Sequence, residues 1–215
     1  MKFWTFFLDL IYPKVCVNCG KELNDTYWCQ SCLKKFWNPR MIQMSQTKDL
    51  SGCYTLCNYV EGIRKVIIQL KYNGRSDRRY VFPELLSDFP WWNRLESCSI
   101  AIPIPLAKKR FQQRGYNQTD LIFQEWLEKM GKKYISDGLV RTRNTETQSL
   151  LSKDERYENM RGVFHVNHGI KIEGKSVLLI DDVYTTGATM NVAAHELKRN
   201  GATTVVGLSL ASGAS

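Results

Sequence analysis

Several features are scarce in this sequence or missing from it. No apolar run approaches the roughly 18 residues that a membrane-spanning helix needs, so spanning helices are not expected. No G-x-G-x-x-G string occurs, which removes the dinucleotide fingerprint. The chain has only three histidines, His165, His168 and His195, and none is spaced to make a Ser-His-Asp or Cys-His arrangement. Repeats and low-complexity tracts are missing. With 43% hydrophobic and 24% charged residues, wholesale disorder, collagen and coiled coil are excluded. Acidic side chains are the minority, 21 against 30 Lys and Arg, for a net charge of +9. That excess asks for an acidic partner, a phosphorylated small molecule or nucleic acid. The 215 residues suit one full domain with a small appendage.

The start of the chain imitates a secretory signal. Asp9 interrupts its apolar run, no small-residue cleavage site follows, and Pro13 stops any helix. The pattern predicts a short amphipathic helix that packs Phe3, Phe7 and Leu10 on a neighbour. An interfacial anchor, peripheral to the inner membrane, is the alternative. The expected compartment is the cytoplasm, where seven cysteines read as ligands or free thiols before disulfides.

Four of the seven form Cys16-x2-Cys19 and Cys29-x2-Cys32, nine residues apart. Two thiolates per turn, taken twice, complete a tetrahedron and suit Zn2+ better than two redox pairs. Gly20 fits the tight turn of such a knuckle. So short a segment buries little core unaided, and a metal would supply the missing folding energy. Four thiolates leave no open coordination position, so the zinc is expected to be structural. Cys53, Cys57 and Cys98 lie in apolar surroundings and are expected to be small buried hydrophobes. The chain thus divides into residues 1–45, the N-terminal helix and four-cysteine zinc finger, and a main domain over residues 46–215.

From residue 51 the texture is α/β. Cys53–Val60 reads as a strand. Ile63, Val66, Ile67 and Leu70 recur at helical spacing and predict a helix ending near Tyr72-Asn73-Gly74. A further helix is expected around Arg79–Leu86, then a short buried strand over Ser99–Pro105 closed by its prolines. Residues 119–130 predict an amphipathic helix with Leu121, Ile122, Trp126, Leu127 and Met130 as its stripe. Residues 141–161 read as a long polar loop leading into a helix. Strands at Ser176–Ile180 and Thr203–Leu210 enclose a helix over Thr189–Asn200. Apolar strands alternating with helices imply a parallel sheet covered on both faces.

The most informative segment runs from Val177 to Thr189. A hydrophobic strand delivers Asp181 and Asp182 at its carboxyl end, where open α/β sheets bind ligands. Thr185, Thr186, Gly187, Ala188 and Thr189 then turn the chain into a helix. Gly187 permits close backbone approach, and successive N–H groups make an anion nest. Two carboxylates need neutral donors or a cation beside them. A ribose diol supplies the first and Mg2+ the second, so a sugar phosphate is the natural ligand.

This segment resembles the signature of type I phosphoribosyltransferases, which bind 5-phosphoribosyl 1-pyrophosphate (PRPP) with Mg2+. The resemblance extends over essentially the whole chain to the ComF (ComFC/GntX-like) family, associated with DNA uptake. It is carried by the front cysteines, Leu70-Lys71-Tyr72-Asn73-Gly74, Ile102-Pro103-Ile104-Pro105-Leu106, Arg114-Gly115-Tyr116-Asn117-Gln118, Gln148 through Arg156-x-x-Asn159, and the Asp-Asp signature. It implies a type I phosphoribosyltransferase fold, a parallel sheet flanked by helices, with a small N-terminal four-cysteine zinc-binding module. It further implies that Asp181 and Asp182 hold the ribose hydroxyls directly or through Mg2+, and that Thr185–Thr189 cradle the 5′-phosphate. Lys71 would meet pyrophosphate, and Arg141 would open a mobile loop, Arg141–Arg161, over the ligand. Two functions follow: a phosphoribosyltransferase acting on an unidentified acceptor, or a competence protein that handles single-stranded DNA beside other DNA-uptake proteins. No hood for an acceptor base is evident after the last strand.

The charge excess is concentrated. Residues 63–79 hold six basic side chains and one acidic, and residues 108–114 hold four basic and none acidic, which together equal the whole +9. Lys108, Lys109, Arg110 and Arg114, interleaved with aromatics, are the candidates for nucleic-acid contact, in a loop expected after Ile-Pro-Ile-Pro.

Overall fold

The apolar runs bounded by turn residues do become strands, and the 3.6-residue patterns between them become the covering helices. The computed structural model describes residues 14–42, 49–72, 74–142 and 162–213. The expected N-terminal helix, the 45/46 boundary and most of the polar stretch 141–161 lie outside these residues.

In chain order the elements are α1 (Gln30–Phe36), β1 (Trp37–Ile42), β2 (Cys53–Asn58), α2 (Glu61–Tyr72), a 3-10 turn (Ser76–Val81), α3 (Pro83–Ser87), a second 3-10 turn (Trp92–Leu95) and β3 (Cys98–Pro103). They continue with α4 (Lys108–Arg114), α5 (Gln118–Lys129), β4 (Lys133–Tyr134), β5 (Leu139–Arg141), β6 (Phe164–Val166), β7 (Ser176–Tyr184), α6 (Ala188–Arg199) and β8 (Thr204–Ser212). Six strands form one sheet in the order β1-β2-β8-β7-β3-β4, while β5 and β6 form a separate antiparallel pair. Every pairing in the large sheet is parallel except β1 with β2.

β7 and β8 are the two central strands, and their side chains alternate between two cores. Leu178 and Ile180 pack with α2 and α5, while Val177 and Leu179 pack with α6 and the β5–β6 pair. This alternation assigns Asp181 and Asp182 to opposite faces of the sheet.

Several expectations need correction. The helix around Arg79–Leu86 is instead a 3-10 turn followed by α3, because Pro83 has no N–H to continue a helix and begins a new one at its first position. Phe123, absent from the expected stripe of α5, is fully buried, whereas Met130 at the helix end is 39% exposed. The basic run after Ile-Pro-Ile-Pro is the helix α4, stopped by Gly115 at φ 81°, rather than a loop. Strand β1 has no clear signal in the sequence, since Pro39 interrupts its pattern; as an edge strand it tolerates the missing N–H. Cys53, Cys57 and Cys98 are fully buried, as expected.

One string imitates a nucleotide phosphate loop. Gly169-Ile-Lys-Ile-Glu-Gly174-Lys175-Ser176 fits the G-x-x-x-x-G-K-S spacing. Such a loop follows a strand and opens a helix. Here Ser176 instead begins β7, so the match is a coincidence of spacing.

Candidate functional site

β7 ends in charge. Its core-facing residues give way to Asp181, half-buried, and Asp182, which is buried at 3% exposure. A buried carboxylate has to be paired or hydrogen-bonded, and Asp182 is both. Lys71, in the last turn of α2, places its Nζ on Asp182 Oδ2. Gln118, the first residue of α5, donates from Nε2 to Asp182 Oδ1 at 3.2 Å. Burial opposes the Lys71 ammonium, but the charge of Asp182 and its hydrogen bond, with Asp181 behind them, outweigh it and raise the lysine pKa.

The Arg114–Gln118 segment ties this arrangement together. Arg114 binds the Gln118 side-chain oxygen, which orients the amide so that its NH2 faces Asp182. Tyr116 Oη donates to Leu70 O at 2.6 Å and fixes the end of α2. Asn117 Nδ2 donates to Ile104 O at 3.0 Å, while its Oδ1 caps α5 by accepting from Thr119 N at 3.1 Å. Five consecutive residues thereby lock α2, the exit of β3 and the acid of β7 to one another. Gln118 and Asn117 carry no charge and stand in no catalytic pattern, so sequence reasoning assigns them no role. Their one signal is membership of the Arg-Gly-Tyr-Asn-Gln block.

The other face holds Asp181. Burial, then the neighbouring charge of Asp182, raises its pKa well above the ordinary carboxylate range. Two adjacent acids sharing one ammonium are short of positive charge. Arg141, at the end of β5, experiences the charges of both Asp181 and Arg110, and its guanidinium lies 5.7 Å from the Phe164 ring. Lys71 and Arg141 thus approach the acid pair from opposite sides of the sheet.

Thr185 and Thr186 follow as an exposed turn. Gly187 adopts φ 76°, a left-handed conformation that a side chain disfavours, and precedes α6 directly. Ala188 and Thr189 form the first turn of α6, which contains no acidic residue. The opening N–H groups of a helix lack intrahelical partners and favour an anion. A site for a negative group thus adjoins a site for cations or hydroxyls.

Of the basic candidates on α4, Lys108, Lys109 and Arg110 are exposed. Arg114 instead turns inward, its guanidinium 5.4 Å from the Tyr72 ring.

The front cysteines converge as their spacing predicts. Cys16 and Cys19 sit on a turn closed by Gly20 N to Cys16 O at 2.9 Å, Cys29 precedes α1, and Cys32 lies within it. All four Sγ atoms fall within 4.8 Å of one another. Thiolates bound tetrahedrally at about 2.3 Å lie roughly 3.8 Å apart, so this set can hold a structural metal. Asn18 Nδ2 and Cys29 N donate to Cys32 Sγ and Cys16 Sγ, at 3.3 and 3.5 Å. The Ser31 hydroxyl and neighbouring backbone bring Cys29 down to about 6, and burial pushes Cys32 up to about 12. A cation among four such sulfurs would offset the repulsion between their thiolates.

This module rests on the elements that carry Lys71. Trp28 Nε1 donates to Val81 O at 3.0 Å, and Tyr27 N donates to Glu84 Oε2 at 2.9 Å. A Cβ on Gly62 of α2 would come within 3.2 Å of Asn18 Nδ2, so the glycine admits the knuckle.

Comparison with known proteins agrees with this geometry. Residues 131–212 match the family model described as "Phosphoribosyl transferase domain". The chain is 30% identical over 198 residues to the "DNA utilization protein YhgH" of Escherichia coli, covering 89% of this chain and 81% of that protein. It is 28% identical to the "Competence protein ComFC" of Bacillus subtilis, over 90% of this chain and 75% of that protein. For the "Competence protein F" of Haemophilus influenzae, identity is 28% over 86% of this chain and 79% of that protein.

If the cysteine cluster is a metal-built knuckle, the protein carries one ion there per chain. Chelation, or Cys32→Ala, is expected to cost about 3 kcal/mol or more, a Tm loss of roughly 6–12 °C. Elemental analysis with thermal unfolding measures both. A metal-free protein whose Tm ignores the chelator and the substitution would refute the assignment.

Proposed function

The chain belongs to the ComF family of phosphoribosyltransferase-like proteins, and from that premise we propose that the site ending β7 binds PRPP together with Mg2+ and transfers its phosphoribosyl group to an acceptor. The observation that carries this reading is continuity: the acid pair, the Thr185–Gly187 turn and the opening of α6 follow one another along a single stretch of chain. The acids suit the ribose hydroxyls, and the helix start suits the 5′-phosphate.

The reaction is displacement at the anomeric carbon, in which pyrophosphate leaves with the bonding pair as positive charge develops on the ribose. No nucleophilic side chain is needed. Asp181 and Asp182 would hold Mg2+, which when bound would supply neutralisation of the leaving group. The protein's part is to orient the sugar and to meet the departing charge with Lys71 and Arg141. The ion of the cysteine cluster is Zn2+ in this reading, because a tetrahedral all-thiolate set favours it; iron in the elemental analysis would oppose this.

A second reading involves single-stranded DNA. It draws on the relatives' names and on exposed groups: Tyr72, the Arg79 guanidinium 4.9 Å from the Tyr80 ring, and Lys108, Lys109 and Arg110 of α4. Such surfaces take phosphates on the charges and bases on the rings.

Isothermal titration tests the first reading. Wild-type protein is expected to bind PRPP in the presence of Mg2+, and the affinity should fall at least ~100-fold without Mg2+ or in Asp181→Ala/Asp182→Ala. Absence of binding, or binding undiminished in the double variant, would sink it. The second reading predicts that single-strand affinity falls steeply with salt. Replacing Lys108, Lys109 and Arg110 with alanine should lower the log–log slope by about 2. A flat slope, or one that the triple variant leaves unchanged, contradicts a DNA path over α4.

A further inference from the structure

The family resemblance directs Lys71 at pyrophosphate. In the structure it faces inward, onto the carboxylate of Asp182. The side chains are 19% and 5% exposed, so the pair lies largely out of water. Both oxygens of that carboxylate are engaged, Oδ2 by Lys71 and Oδ1 by Gln118. Each oxygen keeps a further lone pair, but a divalent cation arriving at Oδ2 would meet the Lys71 ammonium already there. The position that PRPP needs is therefore filled by the protein's own cation.

Resting on the PRPP reading, we propose that Lys71 is an internal stand-in for the divalent cation: its ammonium holds Asp182 while no ligand is bound, and gives up that carboxylate to the incoming cation as it moves to pyrophosphate. Three observations support the exchange. Lys71 closes α2 beside Tyr72, which is 68% exposed, so its flexible stem has solvent within reach. Tyr116 anchors the helix at Leu70 O, one residue earlier, so the backbone can stay fixed while the side chain swings. Gln118 is held by Arg114 and keeps Asp182 in place throughout.

The exchange has an electrostatic consequence. Moving Lys71 away with nothing in its place strands a buried carboxylate, which is costly. A metal ion arriving alone must displace an ammonium that has no new partner. Metal and pyrophosphate arriving together satisfy both charges at once. Weak binding of metal alone, and strong binding of the metal–PRPP pair, follow from one salt bridge.

Mn2+ alone is the probe, with free ion counted by electron paramagnetic resonance on full-length protein in its cysteine-bound metal form. Wild type is expected to bind Mn2+ weakly at this site. Lys71→Met, which empties the position, should bind it at least ~10-fold more tightly, and adding Asp182→Asn should abolish the gain. Lys71→Gln keeps a polar group beside Asp182 and decides the matter if the methionine variant fails to fold. No gain in a folded variant, or a gain that survives Asp182→Asn, overturns the proposal. PRPP titration of the wild type is a separate readout, so failure of the PRPP reading and failure of the stand-in are distinguishable.

Discussion

A carboxylate buried on a central strand has to be paired or hydrogen-bonded, and much of this molecule is arranged to give Asp182 both. β7 carries the acid, α2 delivers Lys71, and α5 begins with Gln118 at the second oxygen. The Arg114–Gln118 turn then ties helix ends and strand exit to that point. The cysteine knuckle, remote from the acid along the chain, abuts α2 and the following 3-10 turn from the other side. Two supports of different chemistry therefore hold one helix, and that helix sets where the lysine stands. At Asp181, burial and then the neighbouring charge of Asp182 raise the pKa. Such stored electrostatic cost is common where a protein awaits a charged ligand.

Much of this is readable from residue order. A run of apolar residues followed by two acids, small hydroxylated residues and glycine has few solutions other than strand, turn and helix. The paired Cys-x2-Cys spacing announces the convergence of four sulfurs. What cannot be read depends on neighbours distant in sequence. Nothing local distinguishes a lysine aimed at solvent from one aimed at an acid 111 positions later. Gln118 is an ordinary helix start until the strand facing it is known. β1 escapes notice because an edge strand tolerates Pro39, and α4 because its burial is slight and its sequence nearly all polar.

The charge excess also has a clearer anatomy. Its two segments fold as α2 with the 3-10 turn, and as α4. Each sends one cation toward Asp182, Lys71 directly and Arg114 through Gln118. Most of the others are exposed, where Arg75 pairs with Asp77 and Arg79 lies over Tyr80, while Arg78 is half-buried. A chain that is basic on average thus divides its cations between an internal site and an exterior surface. In the proposed function the first group serves the sugar phosphate, and in its second reading the exposed group serves single-stranded DNA.

The most direct measurement is a crystal structure with Mg2+ and PRPP bound. The account predicts the 5′-phosphate on the backbone N–H groups of residues 186–189, the ribose hydroxyls at Asp181 and Asp182, and Lys71 Nζ on pyrophosphate, no longer on Asp182. Ligand bound elsewhere, or bound there with the Lys71–Asp182 pair intact, would contradict it.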